Sequence, residues 1–259
     1  REEAVLEGIA EAVGRRTPVF GGSVADDAVA GGWRVLGAEG PMEEAVRVSV
    51  LFPSRPLGLA FQSGYAPAGR AGQVTRAEGR RVLEIDGRPA RDVYAEWTEG
   101  EVDARGAAAP TPILSASTLH PLGREVGEVS GVPFHLLAHP ATACPDGAIE
   151  LFADVAEGEE LRLMTGSADS LVARAGRVAR QACAVRGVDA AAPVGALVVY
   201  CGGCMLAVRE RMAEVVAGVD AALDGAPFLG VFTFGEQGEA ADGRNRHGNL
   251  MISCVAFGP

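Results

Sequence analysis

Three short apolar runs in this chain each stop on glycine. They read PVFGG at 18–22, ALVVYCGG at 196–203 and FLGVFTFGEQG at 228–238. Runs of this length, rich in β-branched and aromatic residues, have the character of buried strands. The glycines impose the constraint. A turn without side chains lets another backbone or a ligand approach closely. If the three strand ends converge, they line a cleft outside a sheet, a common place for ligands. The last run enters a polar loop holding Glu236, Gln237, Arg244, Arg246, His247 and Asn249, and a further apolar run, Leu250 to Cys254, leaves it.

The rest of the chain mixes hairpin-like strand runs with strand–helix units. Strands are expected at 18–20, 45–52, 57–62, 72–77 and 81–85, the second and third separated by Pro53-Ser-Arg-Pro56. A turn at Asp86-Gly87 starts a helix whose apolar face is Ala90, Val93, Tyr94 and Trp97. Residues 99–121 read as a long connection, and strands follow near 134–138, 148–152 and 161–164. Ser167 caps a helix expected to reach about Arg186, with Leu171, Val172, Ala175, Val178 and Ala179 inward. A further helix is expected over 205–223. At the other end, Val5, Leu6, Ile9, Ala12 and Val13 place a helix already under way at Arg1, so the first unit is expected to be incomplete at its N-terminus. The class is α+β (mixed α/β): two packed sheet-and-helix units, residues 1–80 and 81–259.

Composition narrows the function. A chain of 259 residues, 48% apolar, folds around a core. A net charge of −11 argues against nucleic acid, and no segment approaches about 18 consecutive apolar residues, so no membrane helix is expected. Every basic residue is Arg, which excludes a lysine Schiff base and a P-loop lysine. The cysteines are Cys144, Cys183, Cys201, Cys204 and Cys254; an odd count, with three inside apolar runs, suits reduced thiols in a cytoplasmic protein.

Four features could carry chemistry. Gly22 and Ser23, with Asp26 and Asp27, could offer backbone N–H groups to an anion, although a plain turn explains them as well. Cys201-Gly202-Gly203-Cys204 lies between a strand and a helix, where a redox pair or a ligand-facing glycine turn would fit. Burial raises the thiol pKa of Cys201, while the helix start opposes this at Cys204. Of the histidines, His120, His135 and His139 lack zinc spacing and read as structural; His247 lies in the polar loop. In that loop Glu236 can accept from an ammonium and Asn249 can orient it. Arg244 or Arg246 can grip a carboxylate, Arg246 being favoured because it adjoins His247.

GVFTFGEQG followed by RHGNLMISC resembles the end of the C-terminal FIST domain, and PVFGGSVADD resembles a segment of the N-terminal FIST domain. YAPAGRAGQVTRAEGRRVLEIDGRPARDVYAEW is similar to the join between them. One departure stands out: many members carry C-x-G-R where this chain ends on Cys204. The resemblance implies a sensory module, not an enzyme, that binds a small amino-acid-like ligand through Gly22, Ser23, Asp26, Gly202, Gly203, Glu236, Gln237, Arg246, His247 and Asn249. A subset of the family is similar to haem-based nitric oxide sensors acting on histidine kinases. That implies a second reading, with haem as cofactor, His247 or a Cys as its axial ligand and a kinase as signalling partner. A third is a thiol-based redox enzyme using the CGGC pair.

Overall fold

The computed structural model describes residues 2–26, 31–184 and 193–259. Helix α1 (Glu2–Val13) leads to β1 (Gly21–Gly22), the hairpin β2 (Val35–Gly37) and β3 (Gly40–Met42), and β4 (Leu57–Gln62). The long β5 (Ala66–Glu78) turns into β6 (Arg81–Ile85), β7 (Arg88–Pro89) and α2 (Ala90–Trp97). Next come β8 (Thr111–Pro112), α3 (Leu114–Ser117), β9 (Leu122–Val129), β10 (Val132–Ala138), β11 (Pro140–Ala143), β12 (Ile149–Leu151) and β13 (Glu160–Thr165). Helix α4 (Ala168–Cys183) precedes β14 (Gly195–Cys201) and α5 (Gly202–Ala207). A 3-10 turn at Arg209–Arg211 separates α5 from α6 (Met212–Ala222), and β15 (Phe228–Thr233), β16 (Glu236–Glu239), β17 (Asn245–Gly248) and β18 (Ile252–Phe257) follow.

The fold is α+β, with its helices packed on separate sheets. A nine-stranded sheet runs β10-β9-β13-β5-β6-β12-β11-β8, with β7 against β6. A four-stranded sheet runs β15-β14-β18-β4 and contains a parallel pair, β14 with β15. A small sheet, β1-β16-β17, bridges the early and late parts of the chain. Each large sheet has its own core. Val74, Ile85, Tyr94, Ile149 and Leu161 pack the first. In the second, Leu171, Val178, Val198, Ile252 and Cys254 seal one face of the four-stranded sheet with α4 and α6. The expected boundary between residues 80 and 81 falls in the tight turn between β5 and β6, while β4 pairs with β18 across almost the whole chain.

Local signals explain most elements. Ser167 caps α4 by accepting the Ser170 backbone N–H, and Ser170 returns the bond to the Ser167 N–H. The helix ends at Cys183; its expected continuation toward Arg186, like Asp27, lies outside the described residues. Three expectations change. The strand at 18–20 is displaced to Gly21–Gly22, because pairing begins where β16 is in reach. The helix over 205–223 is broken, since Val208 leaves helical geometry at φ −125° and ψ 26° and buries its side chain. The strand at 45–52 has no pairing partner among the described residues; Val46, Val48 and Val50 alternate as a strand would, but a strand is completed only by a neighbour.

Helices α4 and α6 cross at two glycines. A Cβ on Gly176 would lie 2.5 Å from the carbonyl oxygen of Gly218, whereas a Cβ on Gly218 would meet only the Gly176 nitrogen, at 4.0 Å. Opposite outcomes are therefore expected from the same substitution. Gly218→Ala should gain up to about 1 kcal/mol through helix propensity, and Gly176→Ala should lose about 1–3 kcal/mol by forcing the helices apart. Denaturant unfolding of both variants checks this; two effects of the same sign would refute the crossing.

Candidate functional site

A cleft of about 1880 Å³ lies between α1, the extended segment 44–57 and the uncovered face of the four-stranded sheet. One wall carries Val46, Val48 and Val50, and another carries Leu57, Leu59 and Leu197. Leu57, Leu59 and Leu197 alternate along β4 and β14, so their neighbours Ala60, Ala196 and Val198 are the ones spent on the core under α4. The polar end of the cleft is built where β1 and β14 finish and β16 starts. Ser23, Gly203, Gln237 and Asn249 all line it, together with Cys201 and His139.

Backbone pairing holds that end together. Gly22 lies opposite Glu236 and Gly21 opposite Gln237. The Ser23 N–H donates to the Gly235 carbonyl at 2.9 Å, and the Phe234 N–H donates to the Ser23 carbonyl at 3.0 Å. The glycines make this fit. A Cβ on Gly22 would sit 2.2 Å from the Thr233 methyl, and one on Gly238 would sit 2.4 Å from the Phe61 ring. Gly235, at φ +150°, would press a Cβ against His247 at 2.4 Å. The room that these glycines leave is filled by the protein's own side chains.

Several of the polar residues turn inward rather than into the cleft. Glu236 is fully buried; Thr233 donates its hydroxyl to Oε1 at 2.7 Å and the Met251 N–H donates to Oε2 at 2.9 Å. Its carboxyl thus ties the end of β15 to the start of β18. His247 is also buried and lies behind the lining: Gln237 donates to its Nδ1 at 3.2 Å, so Nε2 carries the proton and donates to the Phe152 carbonyl at 3.3 Å. Arg246 is engaged with Asp242 across the β16–β17 turn. Asp26 accepts the Gly32 N–H at 2.9 Å, and neither it nor Gly202 lines the cleft. Asn249 bridges strands, accepting the His139 N–H at 3.1 Å through Oδ1 and donating its backbone N–H to Leu137 at 3.0 Å, while still reaching the lining.

The structure adds residues that the sequence did not single out. Arg80 lines the cleft beside Glu2. Its Nη2 donates to Glu2 at 2.6 Å and Glu3 at 2.9 Å, and its Nε to Asp154 at 3.3 Å. Burial would raise the Glu2 carboxyl, but the Arg80 hydrogen bond and the nearby charges hold it down at about 2. Of these four residues, Glu2 and Arg80 line the cleft. His139 donates Nε2–H to the Leu114 carbonyl at 3.0 Å, and burial lowers its pKa to about 4, so it is neutral. Nothing marks Arg80 or His139 in the sequence, because their partners are tens to hundreds of positions away. Among the described residues, no group of three or more His, Cys, Asp or Glu could hold a metal ion, and no helix is long and apolar enough to cross a membrane.

Burial pushes the Glu236 carboxyl up to about 8, with the Cys204 charge adding to the rise, while Thr233, Met251 and Arg174 oppose it. Between the ordinary 4.5 and about 8, the folded state keeps a proton that the unfolded chain releases. Stability therefore falls as pH rises through that window. Glu236→Gln keeps the shape and removes the titration. Its melting temperature relative to the wild type should climb from about pH 5 to about pH 8. A difference that stays constant with pH would show that Glu236 is already ionised in the folded protein.

Comparison with known families gives two matches in chain order. Residues 1–88 match the FIST N domain and residues 90–239 match the FIST C domain. The second match ends at the close of β16, before β17 and β18. No curated protein and no solved structure matches the chain.

Proposed function

The chain belongs to the FIST family, whose domains are sensory modules for small ligands in signal transduction, and from that premise we propose that this cleft is where the ligand binds. The observation that carries the reading is the meeting of Ser23, Gly203, Gln237 and Asn249 at one end of a mainly apolar cleft. Few polar groups at the end of an apolar space are what orient a small molecule.

The ligand we infer is amino-acid-like. The Glu2 carboxylate, which lines the cleft beside Arg80, suits an ammonium group. Gln237 presents an amide that can donate and accept. Arg47 and Arg55, which also line the cleft, can meet a carboxylate. This replaces Glu236 and Arg246 as the charged anchors, since both are engaged elsewhere. Gly22 lines the cleft and also makes room for Thr233. A bound molecule would couple α1 to the β16–β17 hairpin, a route by which a signalling partner such as a kinase could read occupancy.

Haem is the rival ligand, favoured by the apolar walls. His247 does not fit as its axial ligand, because both ring nitrogens are hydrogen-bonded behind the lining. His139 and Cys201 are the cleft residues that could serve instead.

A thermal-shift screen of free amino acids and dipeptides against the full chain tests the reading, because a ligand that binds the native state raises its melting temperature. At least one should raise it, and Gln237→Leu should weaken that compound about tenfold, the worth of one good hydrogen bond. No shift with any of them, or a shift unchanged in Gln237→Leu, overturns the amino-acid reading. A haem spectrum that disappears in His139→Ala would replace it.

A further inference from the structure

Behind the cleft wall lies a cluster of reactive side chains that ligand binding does not use. Arg174 of α4 is buried at 1% exposure. Its Nη1 donates to the carbonyls of Ser63 and Leu250, the latter at 2.7 Å, while Nε and Nη2 have no hydrogen-bond partner. The guanidinium lies 5.7 Å from the Tyr65 ring centroid and 5.1 Å from that of Tyr200. A cation taken out of water needs a compensating charge. The Tyr65 hydroxyl, 3.5 Å from the Cys204 sulfur, leads to the group that can supply one.

We propose that Cys204 stands as a thiolate opposite Arg174 and that, with Cys201 at the cleft wall, it forms a peroxide-sensitive thiol pair that closes to a disulfide. The two cysteines are free and stand three residues apart, Cys201 at the end of β14 and Cys204 in the first turn of α5. Cys201 is 5% exposed and lines the cleft, whereas Cys204 is 0% exposed and lies behind it. The groups facing Cys204 come from four places: Tyr65 after β4, Arg174 on α4, Tyr200 and Cys201 on β14, and Glu236 on β16.

Their titration agrees with the geometry. Burial opposes ionisation of Cys204, but the Cys201 hydrogen bond, the Arg174 charge and the Tyr65 hydroxyl outweigh it and bring the thiol down to about 6. Cys201 is raised, first by its hydrogen bond to Cys204 and then by burial, and burial also raises Tyr65 and Tyr200. Glu236 keeps its proton to about 8. At neutral pH the cluster therefore holds one cation and one anion. The remaining cysteines differ: burial raises Cys144 and Cys183, and it pushes Cys254 up to about 12.

The chemistry balances with a peroxide as oxidant. Cys201 passes its proton to the Cys204 thiolate as its sulfur attacks one peroxide oxygen; the S–O bond forms, the O–O bond breaks and hydroxide leaves. Cys204 gives the proton to that hydroxide, making water. The restored thiolate attacks the Cys201 sulfur; the S–S bond forms, the S–O bond breaks, and the second hydroxide takes a proton from solvent. One thiol and one thiolate lose two electrons, and with one proton from solvent the peroxide becomes two waters. The disulfide leaves Arg174 without its anion, beside the Leu250 carbonyl that follows Asn249 in the cleft wall.

The test uses the full chain and hydrogen peroxide, with thiol counting and peptide mass mapping. Near-stoichiometric peroxide should remove two of the five thiols of the wild-type protein as a Cys201–Cys204 disulfide, ahead of Cys144 and Cys183. Cys201→Ser should retain its Cys204 thiol. Cys204→Ser should be trapped by a sulfenic-acid reagent at Cys201, at least about tenfold more slowly, because the proton acceptor is gone. The ultraviolet thiolate band should be present at neutral pH in the wild type and absent in folded Cys204→Ser. A wild type with no thiolate band, or a pair oxidised no faster than Cys144, overturns the proposal.

Discussion

One buried guanidinium holds the two halves of this molecule in register. Arg174 reaches from α4 to the carbonyl of Ser63, just past β4, and to the carbonyl of Leu250, just before β18. Those strands are neighbours in the four-stranded sheet, although almost two hundred positions separate them. A buried Arg is costly unless its charge and its hydrogen bonds are answered. Here two carbonyls, two aromatic faces and a cysteine answer it. The surrounding tyrosines, the turn at Cys201–Cys204 and the path of the chain into β18 all depend on where that charge is placed.

Next to it, the strand ends show how much of a polar loop can be structural. Glu236 and His247 look like ligand contacts when read along the chain, yet each is consumed by hydrogen bonds that join β15, β16 and β17 to their neighbours. Accepting from a hydroxyl and a backbone N–H favours the ionised carboxyl, but burial outweighs both and keeps the proton on. The cleft is lined instead by Ser23, Gln237 and Asn249, which lie at the edge of the same network. The cleft is thus an opening beside a tightly bonded hairpin, not a hole through it.

The glycines carry a related lesson. Their absence of a Cβ was legible as permission for close approach. At Gly22, Gly235 and Gly238 the approaching groups are Thr233, His247 and Phe61 of the same chain. Gly21, Gly22 and Gly203 also line the cleft, whereas Gly235 and Gly238 do not. A short sequence motif states that something comes close; it does not state what.

Sequence alone determined whatever depends on neighbours along the chain. The cap at Ser167, the apolar stripe of α4, the strands at 57–62, 81–85 and 195–201, the α+β class and the family all follow from local pattern. The contrasting thiols were partly legible too, since burial at the end of a strand was expected to raise Cys201 and not Cys204. Tertiary structure decided whatever depends on a distant partner. It left 45–52 unpaired, broke the helix at Val208, and assigned Arg80 to Glu2, Glu3 and Asp154. It also turned Glu236 inward and set Arg174 beside Cys204. Charge and hydrogen bonding act through space, and a buried group takes its protonation from whatever the fold brings within a few ångströms.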